Sequence, residues 1–181
     1  MNEIGFDILT LPGIQYFKHN SMIRKATMDD FEFMYTLYMH PAINPFLLYE
    51  MMEPESFKPI YSDLVKKEVL YIYNNGEADA GMFKLVPQQF RNSHIVYLGG
   101  LAVHPDFTGK GTGNKMMKEI IDVARQQGFV RIELSTSTFN EKAIRLYEKN
   151  GFEKEGVLRK ITYLESENKY LDEVMMSYLL K

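Results

Sequence analysis

Apolar residues recur along this chain with two periods, and the switches between them mark its elements. "MIRK", residues 22–25, reads as a short strand. Thr27 then stands three residues before Asp30, close to a capping box with Asp in place of Glu. Phe31, Met34, Tyr35 and Tyr38 follow at i, i+3, i+4 and i+7, which is one face of a helix. Residues 41–60, "PAINPFLLYEMMEPESFKPI", are rich in proline and aromatics and predict a loop, with a short helix over 61–67. "VLYIYNNGEADAGMFKLV" predicts two strands around a turn at Asn74 to Asp79. "SHIVYLGGLAV" is a third strand interrupted by Gly99 and Gly100, a pair that marks a bulge or a close backbone approach.

A helix is predicted over 112–127, with Met116, Met117, Ile120, Ile121 and Ala124 as its buried stripe and Gly128 as its stop. "FVRIELST" is a buried strand, Asn140 caps a helix over "EKAIRLYEKN", and Gly151 ends it. Two closing strands flank a polar turn at Glu165 to Lys169. This order implies a mixed sheet in an α/β or α+β layer arrangement. No internal repeat or low-complexity tract interrupts it.

Composition narrows the function. The chain has 181 residues, enough for one domain with a real core, and a net charge of −3, which gives no footprint for nucleic acid. It contains no cysteine, so disulfides, thiolate nucleophiles and cysteine-bound zinc are excluded. Its histidines, His19, His40, His94 and His104, are scattered, and no metal site is expected. No apolar run approaches the roughly 18 residues that span a bilayer. The first residues carry Glu3 and Asp7 and no Lys or Arg, unlike a signal peptide, so a cytoplasmic location is expected.

The chemistry concentrates in "VHPDFTGKGTGNKMMKEII", residues 103–121, where Gly109, Gly111 and Gly113 run straight into a helix. The first turn of a helix has unpaired N–H groups and partial positive charge, and it stabilises anions, phosphates above all. Glycines remove Cβ atoms and permit positive φ, so a ligand can touch the backbone. Residues 109–114 therefore suit a diphosphate, with Lys110 and Lys115 adding charge nearby. The spacing fits neither a Walker loop nor a Rossmann fingerprint, because Asn114 and Met116 stand where those motifs need other residues. No G-x-S-x-G elbow is present.

Together with the second segment, "NEKAIRLYEKNGF", the sequence resembles the GNAT superfamily of acyl-CoA-dependent N-acetyltransferases. Val103, Pro105, Gly109, Gly111 and Gly113 match its V-x-P-x-x-R-G-x-G-I-G motif, with Thr108 where Arg or Gln is usual. Asn140, Ala143, Tyr147, Gly151 and Phe152 match its N-x-x-A-x-x-x-Y-x-x-x-G-F signature. The resemblance covers about residues 22–181 and leaves 1–21 as an extension of unknown role. It implies a mostly antiparallel mixed sheet flanked by helices, with a splayed, V-shaped cofactor cleft. It implies acetyl-CoA as cosubstrate, no metal, and direct transfer to a primary amine of a small molecule or a peptide or protein N-terminus. The C-terminal segment is similar to the ribosomal-protein, amino-acid and polyamine subgroup.

By the same resemblance, Leu101, Ala102 and Val103 would bond the pantetheine arm. Thr108, Gly109, Lys110, Gly111, Thr112, Gly113, Asn114 and Asn140 would surround the rest of the cofactor. Tyr147 would bind beside it and protonate the leaving thiolate; a phenol is protonated at neutral pH. The strand "YLGGLAV" lacks the carboxylate that several members use as base. Glu133 is the residue chosen for that role, with Glu50, Glu53, Asp172, Glu173, His94, His104 and a water relay also open. Glu50, Glu53 and Asp172 are candidates for the acceptor side. No nucleic-acid or membrane partner is expected, and a monomer or homodimer is. The rival readings are a catalytically weak CoA-binding sensor or regulatory module, and a protein-interaction domain with a vestigial cleft.

Overall fold

The structure is a computed structural model that describes residues 22–180; the extension at 1–21 lies outside the described residues. Seven strands form one sheet: β1 Ile23–Lys25, β2 Leu70–Asn74, β3 Asp79–Pro87, β4 Ile95–Val103, β5 Arg131–Ser137, β6 Glu153–Leu164 and β7 Lys169–Leu179. Their spatial order is β1-β2-β3-β4-β5-β7-β6. Every neighbouring pair is antiparallel except β4 and β5. The helices are α1 Phe31–Tyr38, α2 Pro54–Lys66, α3 Thr112–Gln126 and α4 Glu141–Lys149. This is the mixed, mostly antiparallel α/β arrangement expected from the sequence.

Two cores lie on opposite faces of the sheet. On one face the whole predicted stripe of α3, Met116 to Ala124, packs with Tyr147 and Phe152 onto Phe83, Leu98, Ile132 and Leu134. On the other, α1 and α2 bring Met34, Leu37, Tyr38, Phe57 and Tyr61 against Ile72, Met82 and Ala102. Each such side chain, fully buried, contributes about 1.5–3 kcal/mol. The predicted reach of Asp30 is present: its carboxylate accepts from the Thr27 N–H at 2.8 Å.

Two local readings are revised. The helix expected over 61–67 begins instead at Pro54. A proline at the first helical position gives up an N–H that would be unpaired anyway. The second, Pro59, is carried inside the helix while Phe57, Tyr61 and Leu64 bury beside it. Strand β5 is not buried throughout: Ile132 and Leu134 enter the core while Arg131, Glu133 and Ser135 stay half-buried on the other face. The glycine pair lies inside β4, as expected. It forms a bulge, since Met82 pairs with Ala102 but Lys84 pairs with Gly99, and Gly100 takes φ +56°.

Candidate active site

The sheet opens in its middle. Strands β4 and β5 pair only at Ile95–Arg131, Val96–Ile132 and Tyr97–Glu133. Beyond Tyr97, β4 continues for six residues to Val103 bonded only to β3, and β5 continues to Ser137 bonded only to β7. Leu101, Ala102 and Val103 therefore present a strand edge to the gap. The glycine bulge lies at the start of this divergence.

The glycine loop stands past the end of β4. Gly109 and Gly111 have φ of +77° and +81°, and a Cβ on either would meet nothing within 4 Å. The conformation requires glycine while the space around it is open, as backbone approach by a ligand needs. Gly111 is the N-cap of α3, a 15-residue helix, so the unpaired N–H groups of that helix face the loop. Gly113 serves packing instead. A Cβ there would lie 3.4 Å from Leu146 Cδ2, so its absence sets how α4 packs on α3. Nearby polar side chains are already engaged. The Thr108 hydroxyl donates to the Pro105 carbonyl at 2.8 Å, and the Lys110 ammonium donates to the Asp106 carbonyl at 2.9 Å. Thr112 is buried. Asn114 accepts from Asn150 at 3.0 Å, which ties α3 to α4. Asn140 accepts from the Ala143 N–H at 3.3 Å and donates to Thr136 at 3.1 Å, so it is the helix cap expected of it.

On the sheet face opposite α3, a cavity of about 270 Å³ opens beside the same divergence. Its polar wall is Lys84, Tyr97, Ser135, Ser137, Thr162 and Glu173. The loop residues Pro45 to Leu48, with Ile161, Leu164 and Leu171, form an apolar wall. Glu173 is held by two hydroxyls, Ser135 donating at 2.5 Å and Thr162 at 2.6 Å. The Ser135 hydroxyl is also 2.8 Å from that of Tyr97. Tyr147 lies on the other side of the gap, buried against Phe152 with ring centroids 5.9 Å apart. Burial pushes its phenol pKa well up, with a smaller contribution from Tyr97, so it keeps its proton at neutral pH.

The acetyltransferase (GNAT) family model matches residues 27–152. The chain belongs to this family. Curated relatives match over parts of their length. The L-amino acid N-acetyltransferase of Escherichia coli is 33% identical over 93 residues, 51% of this chain and 56% of that protein. The thialysine N-epsilon-acetyltransferase of Sus scrofa is 34% identical over 56 residues, 31% of this chain and 33% of the relative. The chain thus spans about a third to just over half of these relatives. Spermidine N-acetyltransferase from Vibrio cholerae, solved with CoA and spermine, superposes with TM-score 0.76 at 20% identity, covering 89% of this chain and 97% of that one. Ribosomal-protein-alanine N-acetyltransferase from Brucella melitensis gives 0.71 at 20% identity, covering 87% and 99%. These likenesses show a shared GNAT fold.

Within this GNAT frame the acidic candidates separate. Glu133 is on the cavity face of β5, but its carboxylate is paired with Arg131 Nε at 2.7 Å and does not line the cavity. Asp172 accepts from the Lys160 N–H at 2.7 Å, where β6 bulges and Lys160 takes φ +53°. Glu50 accepts from the N–H of Glu165 at 2.5 Å and of Ser166 at 3.2 Å, so it ties the aromatic loop to the β6–β7 turn. Glu53 is the N-cap residue of α2 and makes no side-chain cap bond. His104 accepts from the Asp106 N–H at 3.3 Å, and its ring stacks on Phe33. His94 is exposed. Glu173 is the carboxylate the geometry places in the cavity. Lys84 was not singled out by sequence reasoning; it follows Met82 at the two-residue strand period, the only signal for its face. Among the described residues, no group of three His, Asp or Glu side chains is arranged to hold a metal.

Proposed function

We propose that the protein transfers an acetyl group from acetyl-CoA to a primary amine bound in the cavity, by direct transfer within a ternary complex. The observation that carries this is the gap between β4 and β5, flanked on one side by the glycine loop and on the other by a cavity holding Glu173. The residues fit the cofactor. The open backbone at Gly109 and Gly111 with the α3 N-terminus suits the diphosphate, and the free edge of Leu101 to Val103 suits an extended amide chain. When bound, acetyl-CoA supplies a thioester-activated acetyl group.

The protein's own groups then divide the work. An alkylammonium must lose a proton before its nitrogen can attack. Glu173, held by Ser135 and Thr162, takes that proton, and Ser135 and Tyr97 continue the hydrogen-bonded path. Tyr147 gives a proton to the departing sulfur. The products are an amide, free CoA and one proton released to solvent. With no cysteine in the chain, a covalent acetyl-thioester on the protein is not available.

The test is CoA release with a thiol reagent, which has no protein background here, together with mass detection of the acetylated amine. Initial-rate lines that intersect as both substrates are varied support the ternary complex. CoA binding without turnover on any amine would leave a CoA-binding regulatory module in its place.

A further inference from the structure

The charges in the acceptor cavity are unusually arranged. Lys84 and Glu173 line the same cavity, yet no salt bridge joins them. Glu173 is satisfied by hydroxyls. Lys84 is only 9% exposed, and its ammonium has no hydrogen bond or ion pair among the described residues. Its nitrogen lies 5.4 Å from the centroid of the Tyr49 ring. A buried cation without a partner is costly, and desolvation holds the Lys84 pKa below the ordinary lysine value. A second group without a partner faces the same space: the Ser137 hydroxyl is buried with no hydrogen-bond partner among the described residues. Ser137 pairs with Glu173 across β5 and β7, and Lys84 pairs with Gly99 across β3 and β4, so the two groups sit on opposite banks of the gap. One bank offers an unsatisfied cation and the other a carboxylate. The third wall is apolar.

We propose that the acceptor is a small amino acid-type amine, whose carboxylate pairs with Lys84, whose amine faces Glu173, and whose apolar side chain lies against Phe46, Leu47 and Ile161. This identification of the substrate class rests on the acetyl-transfer reading above. Lys84 is a specificity residue: it binds the end of the acceptor that does not react. A polycation would place a like charge against it, which is the repulsive element that discrimination needs.

The experiment has two arms. In the first, leucine, leucinamide and spermidine are compared as acceptors for the wild type and for Lys84→Met, a substitution that keeps length and removes charge. Lys84→Gln serves if the Met variant does not fold. The expected result is kcat/KM for leucine roughly tenfold or more above leucinamide, as a charged hydrogen-bonded pair commands. In the variant that ratio falls to about one. Equal use of leucine and leucinamide by the wild type, or a preference for spermidine, would overturn the proposal while leaving acetyl transfer intact.

The second arm does not depend on turnover: N-acetylleucine is titrated into both proteins, with inorganic phosphate as control. The wild type should bind N-acetylleucine and the variant at least about tenfold more weakly. No binding, equal binding, or equal competition by phosphate would contradict a carboxylate subsite. Binding of N-acetylleucine without acetylation of any amine would sink the transfer reading and keep the subsite.

Discussion

The Ser135 hydroxyl donates to the Glu173 carboxylate at 2.5 Å and lies 2.8 Å from the Tyr97 hydroxyl. The contact spans 38 positions in sequence and joins β5 to β7 beside the point where β4 parts from β5. In the proposed mechanism this makes Glu173 the proton acceptor, with an oriented path leading away from it.

Removing that acceptor should be the most damaging change to the chemistry. Glu173→Gln keeps the shape and both hydroxyl neighbours but cannot take a proton. It is expected to lower kcat by about 10² or more, the usual contribution of a general base. The loss should shrink at alkaline pH, where the acceptor amine arrives neutral. A pH–rate profile equal in shape and height to that of the wild type would assign the base elsewhere, Glu133 and a water relay being the alternatives.

Tyr147→Phe should slow turnover while leaving acetyl-CoA affinity nearly unchanged. The ring packs against Phe152 and that packing survives the substitution. Equal kcat for mutant and wild type would remove Tyr147 as the proton donor to sulfur.

Gly111→Val should abolish acetyl-CoA binding. The position has φ +81°, which costs a residue with a Cβ about 1–2 kcal/mol. The new side chain would also fill the open space over the loop. Thermal melting separates the two effects: a small loss of Tm with a complete loss of binding is expected. Retained binding would show that the loop does not hold the cofactor.

Stability should depend on pH through Lys84. Burial lowers its pKa, so between that lowered value and the ordinary 10.5 the unfolded chain binds the extra proton. Stability contributed by this residue therefore rises with pH across that window. Urea unfolding at several pH values should show the rise in the wild type and a flatter profile for Lys84→Met. Identical slopes would mean that Lys84 is not desolvated.

Much of the fold was legible because periodicity reports burial directly. Met116 to Ala124 on α3 and the strand pair around Asn74 to Asp79 follow from spacing alone. Helix α2 was hidden by Pro54 and Pro59, residues that usually break helices; here one sits where its missing N–H is harmless, and a buried face around Phe57 and Tyr61 carries the other. The glycine loop was legible because glycines at alternate positions before a helix are a local signature. The cavity proposed for the acceptor was not. Lys84 and Glu173 lie on β3 and β7, and only the strand order brings their faces to one gap. An acidic residue in a strand looks the same in sequence whether it meets Arg131, as Glu133 does, or lines a cavity, as Glu173 does.

The most direct test of the central claim is calorimetric titration of acetyl-CoA into the purified protein, with free CoA and ATP as controls. The gap and the glycine loop predict saturable binding of acetyl-CoA and CoA, with ATP far weaker because it lacks the arm that would lie along Leu101 to Val103. No binding of acetyl-CoA, or binding no tighter than that of ATP, would contradict the account.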